Sequence, residues 1–250
     1  MGKIIVVCNW KGGVGKTTTA TALASGLRKK GYKTLLVDAD PQRNSTDTYR
    51  ARSKGVGTLY DLMAEGDLDV VQKTELGDII AGDDLLCDAE KVIRGAGAHY
   101  RLKSSLQPFK SQYDYILIDT SPALGLLLIN ALTAADSCIV PMEAARYSLQ
   151  ATNDLTKNIA DVKAFTNPDL VVEGILLIKY SGRKKAERAV EDGLSQYAEK
   201  LGTKIFETKI RETTAVPQSQ LARMGLFEYA PKCTAAVDYM RLIEEVLKNG

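Results

Sequence analysis

The chain has 250 residues, 45% of them hydrophobic and 26% charged, with a net charge of +2; this is the make-up of an ordinary soluble globular protein and not of an overall polyanion binder. The charge is uneven, with eleven Lys and Arg against three acids in residues 1–54 and ten acids against one lysine in residues 61–90, a pattern that solvated surfaces alone commonly produce. Four scattered cysteines (Cys8, Cys87, Cys138 and Cys233) and the single His99 exclude a paired Cys/His metal set and weigh against a histidine-dependent hydrolase, and no stretch reaches the ~20 apolar residues of a membrane span.

Taken in chain order, KIIVVCN (3–9) is a short apolar, β-branched run ending at glycines, and reads as a buried strand. From Thr18 the spacing turns helical: Ala20, Leu23 and Leu27 share a face, basic residues 28–30 close the helix and Gly31 stops it. KTLLVDAD (33–40) is a second buried strand, so the helix is a crossover and the two strands are parallel. Between 55 and 112, TLYDLMAEG reads as helix, DIIAG as a short strand, and DAEKVIRG and YRLKSSLQPF as helix pieces. YDYILID (113–119), SCIVPM (137–142), VVEGILLIKY (171–180) and KIFETKI (204–210) follow as strands, with helices over 126–135, 148–165, 184–201 and 234–248. The alternation predicts one doubly wound α/β domain over 1–250, a mostly parallel sheet with helices on both faces.

The stretch NWKGGVGKTTTA (9–20) ends as the phosphate-loop pattern G-x-x-x-x-G-K-[ST] does, with Gly15, Lys16 and Thr17. Its start differs: Trp10 holds the first glycine's place and a second lysine, Lys11, follows. Gly12, Gly13 and Gly15 between strand and helix still let backbone N–H groups turn inward towards an anion at the helix N-terminus. Lys16 supplies charge for β- and γ-phosphates and Thr17 a hydroxyl for Mg2+. Asp119, closing YDYILID, is the carboxylate of a Walker B strand. Asp38 and Asp40 end another strand at the same sheet edge, where two carboxylates could bind the metal's water shell and orient an attacking water. The loop has no arginine finger. Lys11, too early to fold back on its own γ-phosphate, is the candidate cation for the nucleotide of a facing subunit.

Four blocks, KGGVGKTTTA (11–20), LLVDADPQRNST (35–46), YDYILIDTSPALGLLLINAL (113–132) and CIVPMEAARYSLQA (138–151), resemble the ParA family of partition ATPases. That family belongs to the deviant Walker A group of P-loop NTPases, with MinD and the nitrogenase iron protein. The block Asp40-Pro41-Gln42-Arg43-Asn44 is similar to the ParA branch in particular. The resemblance covers nearly the whole chain. It implies a Mg-dependent ATPase that forms a homodimer around two ATPs, with Lys11, Gly12, Gly13, Val14, Gly15, Lys16, Thr17 and Thr18 on the nucleotide. It further implies that Lys11 acts across the dimer and Lys16 within its own subunit. Asp40 would position the hydrolytic water, Thr17 would bind Mg2+ with Asp38 nearby, and Asp119 would reach the metal through water. The ATP-bound dimer would bind DNA without sequence preference, and a ParB-like centromere-binding partner would stimulate hydrolysis. Localisation would be cytoplasmic and nucleoid-associated. Arg43 replaces the family's usual glycine, Trp10 a frequent glutamine, and Thr120-Ser121-Pro122-Ala123 a CPPS-like switch, which bears on closure and exchange rather than on the chemical roles. No helix-turn-helix precedes the loop, so a self-repressing ParA is not expected.

Lys179, Arg183, Lys184, Lys185 and Arg188 lie within ten residues, and Arg211, Arg223 and Lys232 follow. Joined on one surface they would track DNA phosphates with steep salt dependence; scattered, they are a solvated helix start. The resemblance favours Arg183, Lys184, Lys185, Arg188, Arg211 and Arg223 as DNA contacts. The alternative is a MinD-like ATPase working at a membrane. It needs a basic amphipathic tail, whereas MRLIEEVLKNG carries Glu244 and Glu245.

Overall fold

Continuous apolar runs without alternation form the middle of a sheet whose two faces are both covered. In the computed structural model, which describes residues 2–95, 97–123, 125–143, 152–181 and 185–249, seven strands make this sheet. They are β1 (Lys3–Val7), β2 (Thr34–Ala39), β3 (Val71–Lys73), β4 (Asp78–Ile80), β5 (Tyr115–Thr120), β6 (Ser137–Glu143) and β7 (Val171–Ile178). Their spatial order is β3-β4-β2-β5-β1-β6-β7, parallel throughout except for the β3–β4 pair. The expected doubly wound α/β architecture is the observed one.

Eleven helices flank the strands among the described residues. These are α1 (Lys16–Lys29), α2 (Asn44–Thr48), α3 (Leu59–Ala64), α4 (Ala89–Val92), α5 (Arg101–Leu106), α6 (Leu126–Ala134), α7 (Thr152–Phe165), α8 (Lys185–Lys200), α9 (Ala215–Leu221), α10 (Leu226–Tyr229) and α11 (Thr234–Asn249). Successive strand side chains point to opposite faces, and β1 divides accordingly. Ile4 and Val6 join a core closed by α3 to α8, while Ile5 and Val7 join one closed by α1, α9, α10 and α11. The central strands are therefore solvent-free on both sides, which fixes their register.

Two departures from the sequence reading matter. KIFETKI (204–210) is not a strand: it runs beside β7 with an isolated bridge at Ile205 and a few backbone hydrogen bonds, and a second bridge joins Arg211 to Tyr180 just beyond both. The physical reason is competition for its backbone, because Glu207 N and Thr208 N donate to the Glu245 carboxylate of α11 at 2.9 and 3.0 Å. The seventh strand is instead β3, a three-residue hairpin partner of β4 with no legible pattern. The short helices α2, α9 and α10 were also not anticipated.

Register delivers the consequence for the site. Val7 pairs with Asp119, and Asp38 pairs with Asp119. The carboxyl ends of β1, β5 and β2 thus lie side by side at the point where strand order reverses, the crevice in which open α/β sheets bind ligands.

Candidate active site

The chain leaves β1 through Asn9, whose side chain clamps the loop that follows. Asn9 Nδ2 donates to the Pro141 carbonyl at 2.8 Å, and its Oδ1 accepts from Lys11 N at 3.0 Å. Gly13 and Gly15 have φ of 74° and 72°, a left-handed conformation that side chains disfavour. Gly15 caps α1 without a side chain, and the first turn of α1 carries no acid. The helix's leading N–H groups and the positive end of its dipole are left for an anion. Lys16 is buried, and its Nζ donates to the Lys11 carbonyl at 3.0 Å. Burial lowers the Lys16 pKa, against the opposing pull of Asp119 and Asp40.

The facing wall is made of carboxylates. Asp38 and Asp119 are fully buried. Asp38 Oδ2 accepts from Thr46 N and Thr46 Oγ1, both at 2.7 Å, and its Oδ1 accepts from Asp40 N at 3.2 Å. Asp119 Oδ2 accepts from Ser45 Oγ at 2.8 Å, whereas Oδ1 is buried without a partner. Burial pushes both pKa values up; the Asp38 charge adds to the rise at Asp119, and the Ser45 hydrogen bond and the nearby Thr17 hydroxyl oppose it. Asp40 is nearly buried, with Oδ1 accepting from Gln42 N at 2.9 Å. Gly82 N donates to Thr46 Oγ1 at 2.9 Å. A Cβ on Gly82 would sit 2.9 Å from the Asp38 carbonyl oxygen and 3.1 Å from that of Asp40, so this approach requires glycine.

Between the walls lies a cleft of ≈ 650 Å³, lined by Gly12, Lys16, Thr17, Asp40, Thr213 and Pro217 among others. Its size suits a nucleotide-class ligand. Gln220 Nε2 donates to Thr18 Oγ1 at 3.0 Å, and the Thr19 and Tyr239 hydroxyls lie 3.0 Å apart. The start of α1 is thereby tied to α9 and α11.

The AAA domain family matches residues 2–172. The chain is 34% identical to the sporulation initiation inhibitor protein Soj of Bacillus subtilis, covering 100% of both. It is also 34% identical to the chromosome partitioning protein ParA of Myxococcus xanthus, covering 100% of this chain and 89% of that protein. The chain belongs to the ParA family of partition ATPases. Among solved structures, cobyrinic acid a,c-diamide synthase from Mycobacterium smegmatis with bound ADP and magnesium has a TM-score of 0.85 at 28% identity, covering 100% of this chain and 95% of that one.

The ParA-family loop residues fall where the sequence places them, with Lys11 to Thr18 forming the turn and first residues of α1 opposite Asp40 and Asp119. Val14 is a core residue, 1% exposed, so only its backbone can face a ligand. Lys11 is half-buried, and its Nζ makes no hydrogen bond or ion pair among the described residues. Asp38, expected near the metal, has its carboxylate spent on Thr46 and Asp40 N. Arg43, at the family's usual glycine, has a left-handed φ of 59°; its guanidinium donates to Ser53 Oγ at 3.0 Å and pairs with Asp84.

Of the expected DNA contacts, Arg211 and Arg223 have described side chains, and both line the cleft. Arg183 and Lys184 lie outside the described residues, as do the side chains of Lys185 and Arg188 on α8. Arg211 is held by Asp238, its Nε and Nη2 donating to that carboxylate at 2.9 and 2.7 Å beside the cleft. Arg223 lines the same cleft and stands 3.6 Å from Asp47. Lys179 is a loop brace, donating to the Gly13 carbonyl at 3.2 Å and pairing with Glu143. Sequence reasoning places none of Asn9, Ser45 and Thr46 in the site, and it assigns Lys179 to the basic cluster rather than to the loop. The only signal for the middle pair was two hydroxyl residues directly after the DPQ-x-N block.

Proposed function

We propose that the chain is a Mg-dependent partition ATPase whose ATP-bound form is a homodimer that binds DNA without sequence preference. The observation that carries this is the facing of two incomplete walls: an uncapped, glycine-built helix N-terminus with Lys16, and a buried Asp119 carboxyl whose Oδ1 has no protein partner. An orphaned buried carboxylate oxygen beside an anion cradle fits a hydrated divalent cation held with a nucleotide. Thr17 and Asp119 would hold Mg2+, Asp119 through water, with Asp38 fixing the strand end behind them. Bound Mg2+ would neutralise part of the phosphate charge.

The remaining work belongs to the chain. Lys16, held over its own loop, binds the β- and γ-phosphates as a desolvated point charge. Asp40, hydrogen-bonded to Gln42 N through one oxygen, orients a water at the cleft with the other. Lys11, half-exposed and with no side-chain partner among the described residues, serves the nucleotide of the second copy. DNA contacts come from the basic residues of 183–188 and from Arg223, and a ParB-like centromere-binding protein supplies the stimulus for hydrolysis. In this reading the protein works in the cytoplasm, on the nucleoid. Among the described residues no helix is long and apolar enough to cross a membrane. On α11, Glu244 pairs with Lys30 and Glu245 caps residues 207–208, which weighs against a basic amphipathic membrane anchor.

The deciding experiment measures binding to non-specific duplex DNA with ATP or ADP across a salt series. Binding that needs ATP and falls steeply with salt supports the reading. Binding to anionic vesicles with ATP, and none to DNA, favours a membrane-working ATPase and overturns it. Lys11→Ala is expected to keep nucleotide binding while losing ATP-dependent dimers in sedimentation.

A further inference from the structure

One contact on the carboxylate wall is not used by the chemistry above. Ser45, fully buried at the start of α2, donates its hydroxyl to Asp119 Oδ2 at 2.8 Å. Its neighbour Thr46 gives both its N–H and its hydroxyl to Asp38. Two consecutive residues of one short helix therefore hold the two carboxylates that end β2 and β5. At Asp119 the outcome is asymmetric: Oδ2 is engaged, and Oδ1 is buried with no partner. A carboxyl tethered at one oxygen loses the freedom to rotate, so Oδ1 stays the oxygen left without a partner. Partners that orient metal-binding carboxylates in this way are commonly worth 10–100-fold in metal affinity.

We propose that Ser45 is a positioning residue for the divalent cation: by tethering Asp119 Oδ2 it presents Oδ1 beside Thr17, and it makes cation affinity depend on where α2 sits. The proposal rests on the reading of the cleft as a Mg-nucleotide site. It gives α2 a route to the metal, since any displacement of this helix releases both strand-end carboxylates together. A buried serine that merely satisfies its own hydroxyl would have no such reach.

The test is a Mg2+ titration of a fluorescent ADP analogue bound to the full chain, with a parallel arm in EDTA. Ser45→Ala is expected to raise the Mg2+ concentration for half-maximal tightening about tenfold, with binding in EDTA unchanged. In an Asp119→Asn background the same substitution is expected to shift the midpoint less than about twofold, because coupled residues are not additive. If Ser45→Ala does not hold the analogue in EDTA, Ser45→Cys carries the test, being of similar size with only a weak donor. Equal midpoints for parent and variant overturn the proposal, as does an equal loss in the Asp119→Asn background. A parent protein whose analogue binding ignores Mg2+ overturns the nucleotide-site reading along with it.

Discussion

The two walls of the cleft are built on opposite plans. The phosphate wall is bonded largely within itself, Asn9 holding Lys11 N and Lys16 Nζ the Lys11 carbonyl, with outside braces from Pro141 on Asn9 and Lys179 on the Gly13 carbonyl. The carboxylate wall is assembled from four separate places, namely β2, α2, β5 and the turn at Gly82, joined by bonds between residues as many as 74 positions apart. A loop whose turn is bonded within a few residues keeps that turn when distant parts of the molecule move. A wall made of four parts keeps its shape only while α2 stays docked. Regulation by a second copy or a partner therefore has its natural purchase on the carboxylate side.

Substitutions can break this contrast, and the largest effect belongs to the phosphate wall. Lys16→Ala is expected to weaken nucleotide binding about 100-fold, the loss of one strong charge-assisted contact, and to abolish ATP-dependent DNA binding; a fluorescent-nucleotide titration reads the first. Asp40→Ala belongs to the other wall and should separate binding from chemistry. Hydrolysis falls about 10²–10⁴-fold, while ATP affinity, and DNA binding with ATP, hold to within a few-fold. If Asp40→Ala turns over ATP at the parental rate, the water-positioning role is wrong.

Gly82→Ala touches no ligand and tests the four-part assembly. Pushing its backbone off the Asp38 and Asp40 carbonyls should cost about 1–3 kcal/mol, read as a lower Tm, and should loosen Mg2+ binding more than metal-free nucleotide binding. The smallest effect is on pH. A carboxyl whose pKa is raised by folding stabilises the fold below its ordinary range and surrenders that stability as pH climbs through the raised value. Asp38 and Asp119 are both of this kind, so the metal-free protein should lose Tm as pH rises from the ordinary carboxylate range, near 3.8, to about 8. Asp119→Asn should flatten that loss, and a slope that survives the substitution would assign it elsewhere.

The same division explains what the sequence made legible. The loop, β1, β2, β5, Asp40 and Asp119 are written in neighbouring residues, as glycine spacing and apolar runs. Ser45 and Thr46 are not, because a serine becomes part of the site only when β5 arrives beside it. Arg211 reads as a DNA contact, and nothing local announces that Asp238, 27 residues away, holds its guanidinium. KIFETKI has the composition of a strand and loses that status to a single carboxylate on α11, 38 residues from Glu207. Local chemistry was readable, and competition for partners across the fold was not.

The stretch that failed to become a strand has a colloidal consequence. It still lies along β7, and the chain there makes four backbone hydrogen bonds: Ile175 N to the Lys204 carbonyl, Phe206 N to Ile175, Ile210 N to Leu177, and Tyr180 N to Ile210. At the sheet's other margin, β3 is only three residues long. Open strand margins are adhesive, inviting copies to zip together without limit. With one margin sealed by an irregular segment and the other cut short, crowded copies have no cheap way to stack sheet on sheet.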